Sequence, residues 1–211
     1  MQPPVIFFIG PPQHGKTESR KLACEITGLE GASCSDVIHA FIAARLKMSV
    51  QDWRNIPREE RRQAEIEAGD FLCGSIGKLS TVALDGTVDG EFFRIPSGII
   101  RVLFHRGIRV IDGVRRNLEL DQARAHLEWL GIRSIVIWVE RPGHATIADN
   151  TELTAAQADE KIVNDGDLQA LRASVRAVLE KYQPPKEEKK APSIYLGAKK
   201  PEPGKLFTGR A

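Results

Sequence analysis

The chain has 211 residues, enough for one α/β domain with a well-filled core and a small insertion. Its 30 basic and 28 acidic residues nearly cancel, so charge demands neither a nucleic-acid nor a membrane partner. No apolar run can span a bilayer, and the first is too short for a signal peptide. The three cysteines (Cys24, Cys34, Cys73) lack C-x-x-C spacing and read as reduced thiols of a cytoplasmic protein.

Residues 5–9 form an apolar, β-prone run. It ends in Gly10-Pro11-Pro12-Gln13-His14-Gly15-Lys16-Thr17, which fits G-x-x-x-x-G-K-T, the phosphate-cradling loop. A helix is predicted over 17–26. The amides of Gly15, Lys16 and Thr17 then open that helix toward an anion. Lys16 reaches the outer phosphates and the Thr17 hydroxyl takes Mg2+. Pro11 and Pro12 have no N–H, so the cradle relies on amides from Gln13 onward.

Gly28 stops the first helix, and 31–34 reads as a short second strand. Ser35 or Asp36 caps a second helix, whose apolar face is set by Ile38, Ile42 and Leu46. Residues 48–56 look irregular. Pro57 opens a charged helix over 58–72. Its arginines suit either a solvated face with pairs such as Arg61–Glu65 or a clamp on a substrate phosphate.

Residues 74–83 read as helical, 84–90 as a loop or small hairpin with two Asp-Gly turns, and 95–105 as a helix. A third strand, 108–113, ends in Asp112-Gly113. Leu120, Ala123, Leu127 and Leu130 mark the face of the next helix. Residues 134–139 are continuously apolar, as in a strand buried on both faces. The polar stretch 141–160 is long for a connection. Residues 161–163 form the last strand, Asp167 caps the last helix, and Leu168, Leu171, Val175 and Val178 pattern it. Beyond 182 the composition turns proline-rich and basic, with seven basic against three acidic residues (7 − 3 = +4), and reads as disordered. A weak contact of this tail with nucleic acid or an acidic partner is a minor reading.

Five strands alternating with helices imply an α/β fold: a five-stranded parallel sheet covered on both faces. Ligands bind at the carboxyl ends of such strands, where the phosphate loop and Asp112-Gly113 both lie.

Two further stretches carry a family resemblance. Val110-Ile111-Asp112-Gly113-Val114-Arg115-Arg116, with Glu119 beyond, resembles the acceptor-holding strand end of nucleoside monophosphate kinases. Arg141-Pro142-Gly143, then Asp149-Asn150-Thr151-Glu152, then Asn164-Asp165-Gly166-Asp167-Leu168, resembles phage-type deoxynucleoside monophosphate kinases. The family Asp stands two residues before the Arg, a position held here by Gly113, so Arg115 and Glu119 carry over better than Asp112.

The resemblance implies a P-loop kinase domain over 1–182, with a helical substrate-binding region at 48–105, a lid at 141–160 and a separate tail at 183–211. It implies ATP and Mg2+ as cofactors and a small nucleotide as substrate. ATP falls to Gly10, Gln13, His14, Gly15, Lys16, Thr17 and Asn164. The acceptor falls to Asp36, Arg62, Asp112, Arg115 and Glu119. Lys16, Arg115 and Arg141 act on the transferring group, with Thr17 on Mg2+ and Asp112 ordering it through water or capping the strand end. Asp36 as a helix cap, Arg141 as a loop anchor, and Asn164 with Asp165 as a tight turn are the plain alternatives. A kinase of another small metabolite, of the dephospho-coenzyme A type, and an ATPase driving a partner are the competing functions. Self-association as a homodimer stays open.

Overall fold

A computed structural model describes residues 2–74, 81–82, 88–89, 97–144 and 152–182. Strand β1 (Val5–Ile9) is the centre of the sheet, and all five of its residues are buried. Burying a side chain of this size contributes about 1.5–3 kcal/mol, which is why so short a strand can anchor the domain. Helix α1 (Lys16–Thr27) returns the chain to β2 (Gly31–Ser33) at one edge. Next come α2 (Cys34–Leu46), α3 (Val50–Asn55) and α4 (Arg58–Gly74). A small antiparallel hairpin of β3 (Thr81–Val82) and β4 (Val88–Asp89) follows, then α5 (Gly98–His105). Strand β5 (Val110–Asp112) inserts between β2 and β1. Helix α6 (Asn117–Trp129) leads to β6 (Ser134–Glu140), then β7 (Glu160–Val163) and α7 (Leu168–Glu180).

The sheet order is β2-β5-β1-β6-β7, and every pairing is parallel, as the alternation of strands and helices predicts. The two faces of β1 serve two cores. Val5, Phe7 and Ile9 join a core with α2, α5 and α6, while Ile6 and Phe8 join one with α1 and α7. The register aligns Phe8, Asp112 and Ser33 across three strands. The end of the central strand therefore sits beside the ends of β5 and β2, and the chain leaves β1 as the phosphate loop directly above them. Among the described residues, no helix is long and apolar enough to cross a membrane.

Several local expectations are corrected. Helix α2 is capped by Ser33, not by Ser35 or Asp36. The Ser33 hydroxyl accepts from Ser35 N at 3.3 Å, and Asp36 reaches back to Ser33 N at 3.0 Å, a capping box. Its buried residues are Cys34, Val37, Ala40, Phe41, Ile42 and Ala43, so of the expected face Ile42 lies in the core. Leu46 is 57% exposed and Ile38 only partly buried, because sheet, α4 and α5 enclose the helix from several sides. Residues 50–55, expected to be irregular, form a helical turn that Ser49 caps, its hydroxyl accepting from Asp52 N at 3.0 Å. Thr81 and Val82, expected in a helix, are extended and paired with Val88–Asp89; the rest of 75–87 lies outside the described residues. Leu130 and Leu168 are exposed rather than on the buried faces of α6 and α7. Asp167 caps α7 as expected, accepting from Ala170 N at 2.9 Å. The tail from 183, and residues 145–151 of the expected lid, lie outside the described residues.

Candidate active site: a phosphate loop and an adjoining cationic cavity

The phosphate loop closes tightly on the neighbouring strands. Gly10 and Gly15 have φ values of +137° and +101°. A Cβ at Gly10 would overlap the carbonyl of Val139, and one at Gly15 would overlap the side chain of Asn164. Only glycine fits either place. Gly15 precedes α1 and has no side chain to cap the first amides of that helix. They stand where an anion would be held. Lys16 turns back over the loop, its Nζ donating to the carbonyls of Gly10 at 2.8 Å and Pro11 at 2.5 Å. A bound phosphate offers this ammonium a charged partner in exchange.

His14 is 4% exposed and ties the loop to the far side of the sheet. Its Nδ1 accepts from the amide of Arg141 at 2.8 Å, so the neutral ring carries its proton on Nε2. Its carbonyl accepts from Asn164 Nδ2 at 3.0 Å. Burial, then the nearby His144 and Lys16, hold His14 below the ordinary imidazole range. Asn164 therefore braces the loop from behind. Arg141 meets it through its main chain, with its side chain exposed. His144 Nε2 lies 3.4 Å from Gln13 Oε1, adding a second link to the same loop.

Asp112 ends β5 and is 2% exposed. Among the described residues neither carboxylate oxygen has a hydrogen-bond partner; Arg20 Nε approaches Oδ2 at 3.4 Å. Asp112, Thr17 and Lys16 line one cavity, together with Arg58. A buried carboxylate lacking hydrogen bonds beside a threonine hydroxyl suits a hydrated divalent cation. Among the described residues there is no cluster of three or more metal-ligating side chains. A cation here would take its other ligands from phosphate and water, as Mg2+ commonly does.

A second cavity adjoins the first. Helix α2 supplies Ser35, Ile38 and His39, and α4 supplies Arg62 and Glu65. The segment after β5 supplies Gly113, Arg115, Arg116 and Glu119. Ser35, Gly113 and Arg115 line both cavities. Glu119, 3% exposed, accepts from the amide of Arg115 at 3.4 Å. The carbonyl of Arg115 accepts from Glu152 N at 2.8 Å, and Glu152 accepts from Asn117 N at 3.1 Å. The second half of the expected lid is thus docked on the Arg115 turn. Glu65 is enclosed by three donors: His39 Nε2 at 3.0 Å, the Arg61 guanidinium as an ion pair, and the Arg62 guanidinium at 4.0 Å. Burial pushes its carboxyl up, but the His39 bond and the two guanidinium groups outweigh this and hold it below the usual range.

Of the residues predicted for the site, Gly10, Gln13, Lys16, Thr17 and Asp112 line the first cavity. Arg62 and Glu119 line the second, and Arg115 both. Asp36 lines neither. Its oxygens are taken by Ser33 N and by Arg54 Nη2 at 2.6 Å. His14, Asn164 and Arg141 stand behind the loop. Sequence reasoning missed His39, Glu65, Asp70 and Arg116 in the second cavity. The α4 members recur at i, i+3, i+4, i+7 and i+8 from Arg62, a spacing that could have grouped them.

The sheet order and the glycine-cradled loop at the end of the central strand define a P-loop α/β protein. No protein-family model matches the sequence, and no curated protein matches it. Solved structures with a similar arrangement include three kinases. The APS kinase of Mycobacterium tuberculosis, in complex with AMPPNP and APS, has 11% identity and a TM-score of 0.44 over 84% of this chain and 99% of that one. A sugar kinase from Janibacter has 11% identity and a TM-score of 0.41, over 85% and 95% of the two chains. The shikimate kinase of Aquifex aeolicus has 12% identity and a TM-score of 0.38, over 84% and 96%.

Proposed function

We propose that this chain is a phosphotransferase that moves the γ-phosphoryl group of ATP onto a (deoxy)nucleoside monophosphate, giving the diphosphate and ADP. One observation carries this reading: two cavities, one at the phosphate loop and one walled by Arg62, Arg115 and Arg116, share Ser35, Gly113 and Arg115. Phosphoryl transfer needs two anions side by side more than it needs covalent chemistry.

The residues divide the work by position. The amides from Gln13 to Thr17 hold the β- and γ-phosphates, and Lys16 leaves the Gly10 and Pro11 carbonyls to neutralise charge on them. The Thr17 hydroxyl and Asp112 would hold Mg2+, which would supply charge neutralisation for the phosphates. Arg115 grips the acceptor phosphate in a two-pronged fork and faces the transferring group from the shared wall. Glu119 and Glu152 fix the backbone on either side of Arg115 and keep the fork in place. Arg62 adds positive charge from α4. The resemblance gives Arg141 a role on the transferring group and the 141–160 segment the role of a lid that excludes water; here the Arg141 main chain meets the loop at His14 and its side chain is exposed.

The test is ADP release from ATP and Mg2+ over a panel of the common ribo- and deoxyribonucleoside monophosphates. The reading requires release that depends on at least one of them. Background release with every member refutes it, and release that needs no acceptor marks an ATPase instead.

A further inference from the structure

Helix α4 presents Arg62, Glu65, Ile66, Gly69 and Asp70 to the acceptor cavity, one unbroken helical stripe. Four of these positions bring a side chain to the wall, and Gly69 brings none. Glycine inside a helix is less stable than alanine at the same place, so another benefit must offset it.

Two ordinary benefits are missing. Gly69 is not among the residues with positive φ, so its backbone does not need glycine. Nor does close packing need it. Among the described residues, a Cβ there would meet only Ile38 Cδ1, at 3.4 Å, an ordinary contact with the end of a flexible side chain. Ile38 lines the same cavity from α2, so the added atom would stand at the cavity wall between the two helices. That wall is also fixed. The carbonyl of Gly69 accepts from Arg116 Nη1 at 3.2 Å, and the same guanidinium pairs with Asp70. Arg116 follows Arg115 directly, so α4 is tied at this turn to the segment that grips the acceptor phosphate.

We propose that Gly69 sets the size of the acceptor: the missing side chain provides the width for a bicyclic, purine-sized base, and any side chain there restricts the site to smaller heads. This rests on the phosphotransferase reading and deepens it by naming the class of head group. An added carbon in a close-fitting pocket typically changes discrimination about 10-fold or more.

The experiment uses the full chain as wild type, Gly69→Ala and Gly69→Leu, with a non-hydrolysable ATP analogue and Mg2+ present. Calorimetry gives Kd for purine and pyrimidine nucleoside monophosphates, and thermal melting is recorded for each variant. Wild type is expected to bind a purine monophosphate. Gly69→Ala should weaken that binding about tenfold or more, with little change for pyrimidines and a Tm equal to or above wild type. Gly69→Leu should abolish purine binding. Equal weakening of both classes, unchanged purine binding, wild-type preference for pyrimidines, or a lowered Tm for Gly69→Ala would each overturn the size role. Failure of wild type to bind any monophosphate would overturn the phosphotransferase reading itself, which separates the two failures.

Discussion

The main-chain amide of Arg141 donates to Nδ1 of His14 at 2.8 Å, joining the phosphate loop to the end of β6 across 127 residues of sequence. The bond requires a neutral ring with its proton on Nε2. The surroundings enforce this: burial first, then His144, Lys16 and Arg141, disfavour the imidazolium, opposed only by Glu140. The folded pKa therefore lies below the ordinary 6.5. In the unfolded chain the ring binds a proton as pH falls through 6.5, while the folded chain resists. The stabilisation is complete above 6.5 and is lost as pH falls toward the folded value. Wild type should thus lose stability on acidification below that point. His14→Ala should remove part of the slope, His126 contributing with the same sign because burial lowers it too. The variant should also be destabilised by about 1–3 kcal/mol at pH 8, from the unsatisfied Arg141 amide. Urea midpoints across pH give both quantities. A His14→Ala slope equal to wild type would remove His14 from the linkage.

Lys16 holds two loop carbonyls, which in the proposed reaction it exchanges for phosphate. Lys16→Ala should lower kcat about 10²–10³-fold with circular dichroism unchanged, the loss expected when a charge-stabilising donor is removed. Retention of kcat within a few-fold would place the transition-state charge elsewhere.

Gly113 has φ +84°, and a Cβ there would stand 2.9 Å from Ser33 Oγ and 3.4 Å from Cys34 N. Ser33 caps α2, so the clash would fall on the start of a helix that walls the acceptor cavity. Gly113→Ala should destabilise by about 2 kcal/mol or more and raise acceptor KM. A denaturation midpoint equal to wild type would show that the turn relaxes freely.

Arg115 lines both cavities, with its backbone pinned by Glu119 and Glu152. Arg115→Ala should reduce acceptor kcat/KM about 10- to 100-fold and weaken acceptor binding more than ATP binding. Arg115→Lys should restore little, since an ammonium cannot form the two-pronged contact. Full recovery by Lys would show that charge alone suffices.

The phosphate loop was legible because its chemistry is backbone chemistry written in consecutive residues. Strands β1, β5 and β6 were legible as short apolar runs, whereas β2 (Gly-Ala-Ser) and β7 (Glu-Lys-Ile-Val) were legible chiefly from their place between turn and helix signals. The face of α2 was read too narrowly because the helix is enclosed on several sides. Of the stripe through Ile38, Ile42 and Leu46, Ile42 is buried, Ile38 partly buried and Leu46 exposed, while Val37, Ala40 and Ala43 bury a further face. Asp36 was read as both cap and substrate contact; its cap bond to Ser33 lies within a capping box readable from Ser33-x-x-Asp36. The contacts of His14 with Arg141 and Asn164 were not legible, since tertiary folding alone brings together partners so distant in sequence. The acceptor wall on α4 stayed ambiguous for the same reason. Its arginines suit solvent equally well until α2 and the β5 turn are set opposite them.

The most direct measurement follows the phosphoryl group itself. ATP labelled at its γ-phosphate is incubated with the chain, Mg2+ and a mixture of nucleoside monophosphates, and the products are separated. Label in a nucleoside diphosphate, lost in Arg115→Ala, is the predicted result; label only in inorganic phosphate, whatever acceptor is present, would contradict it.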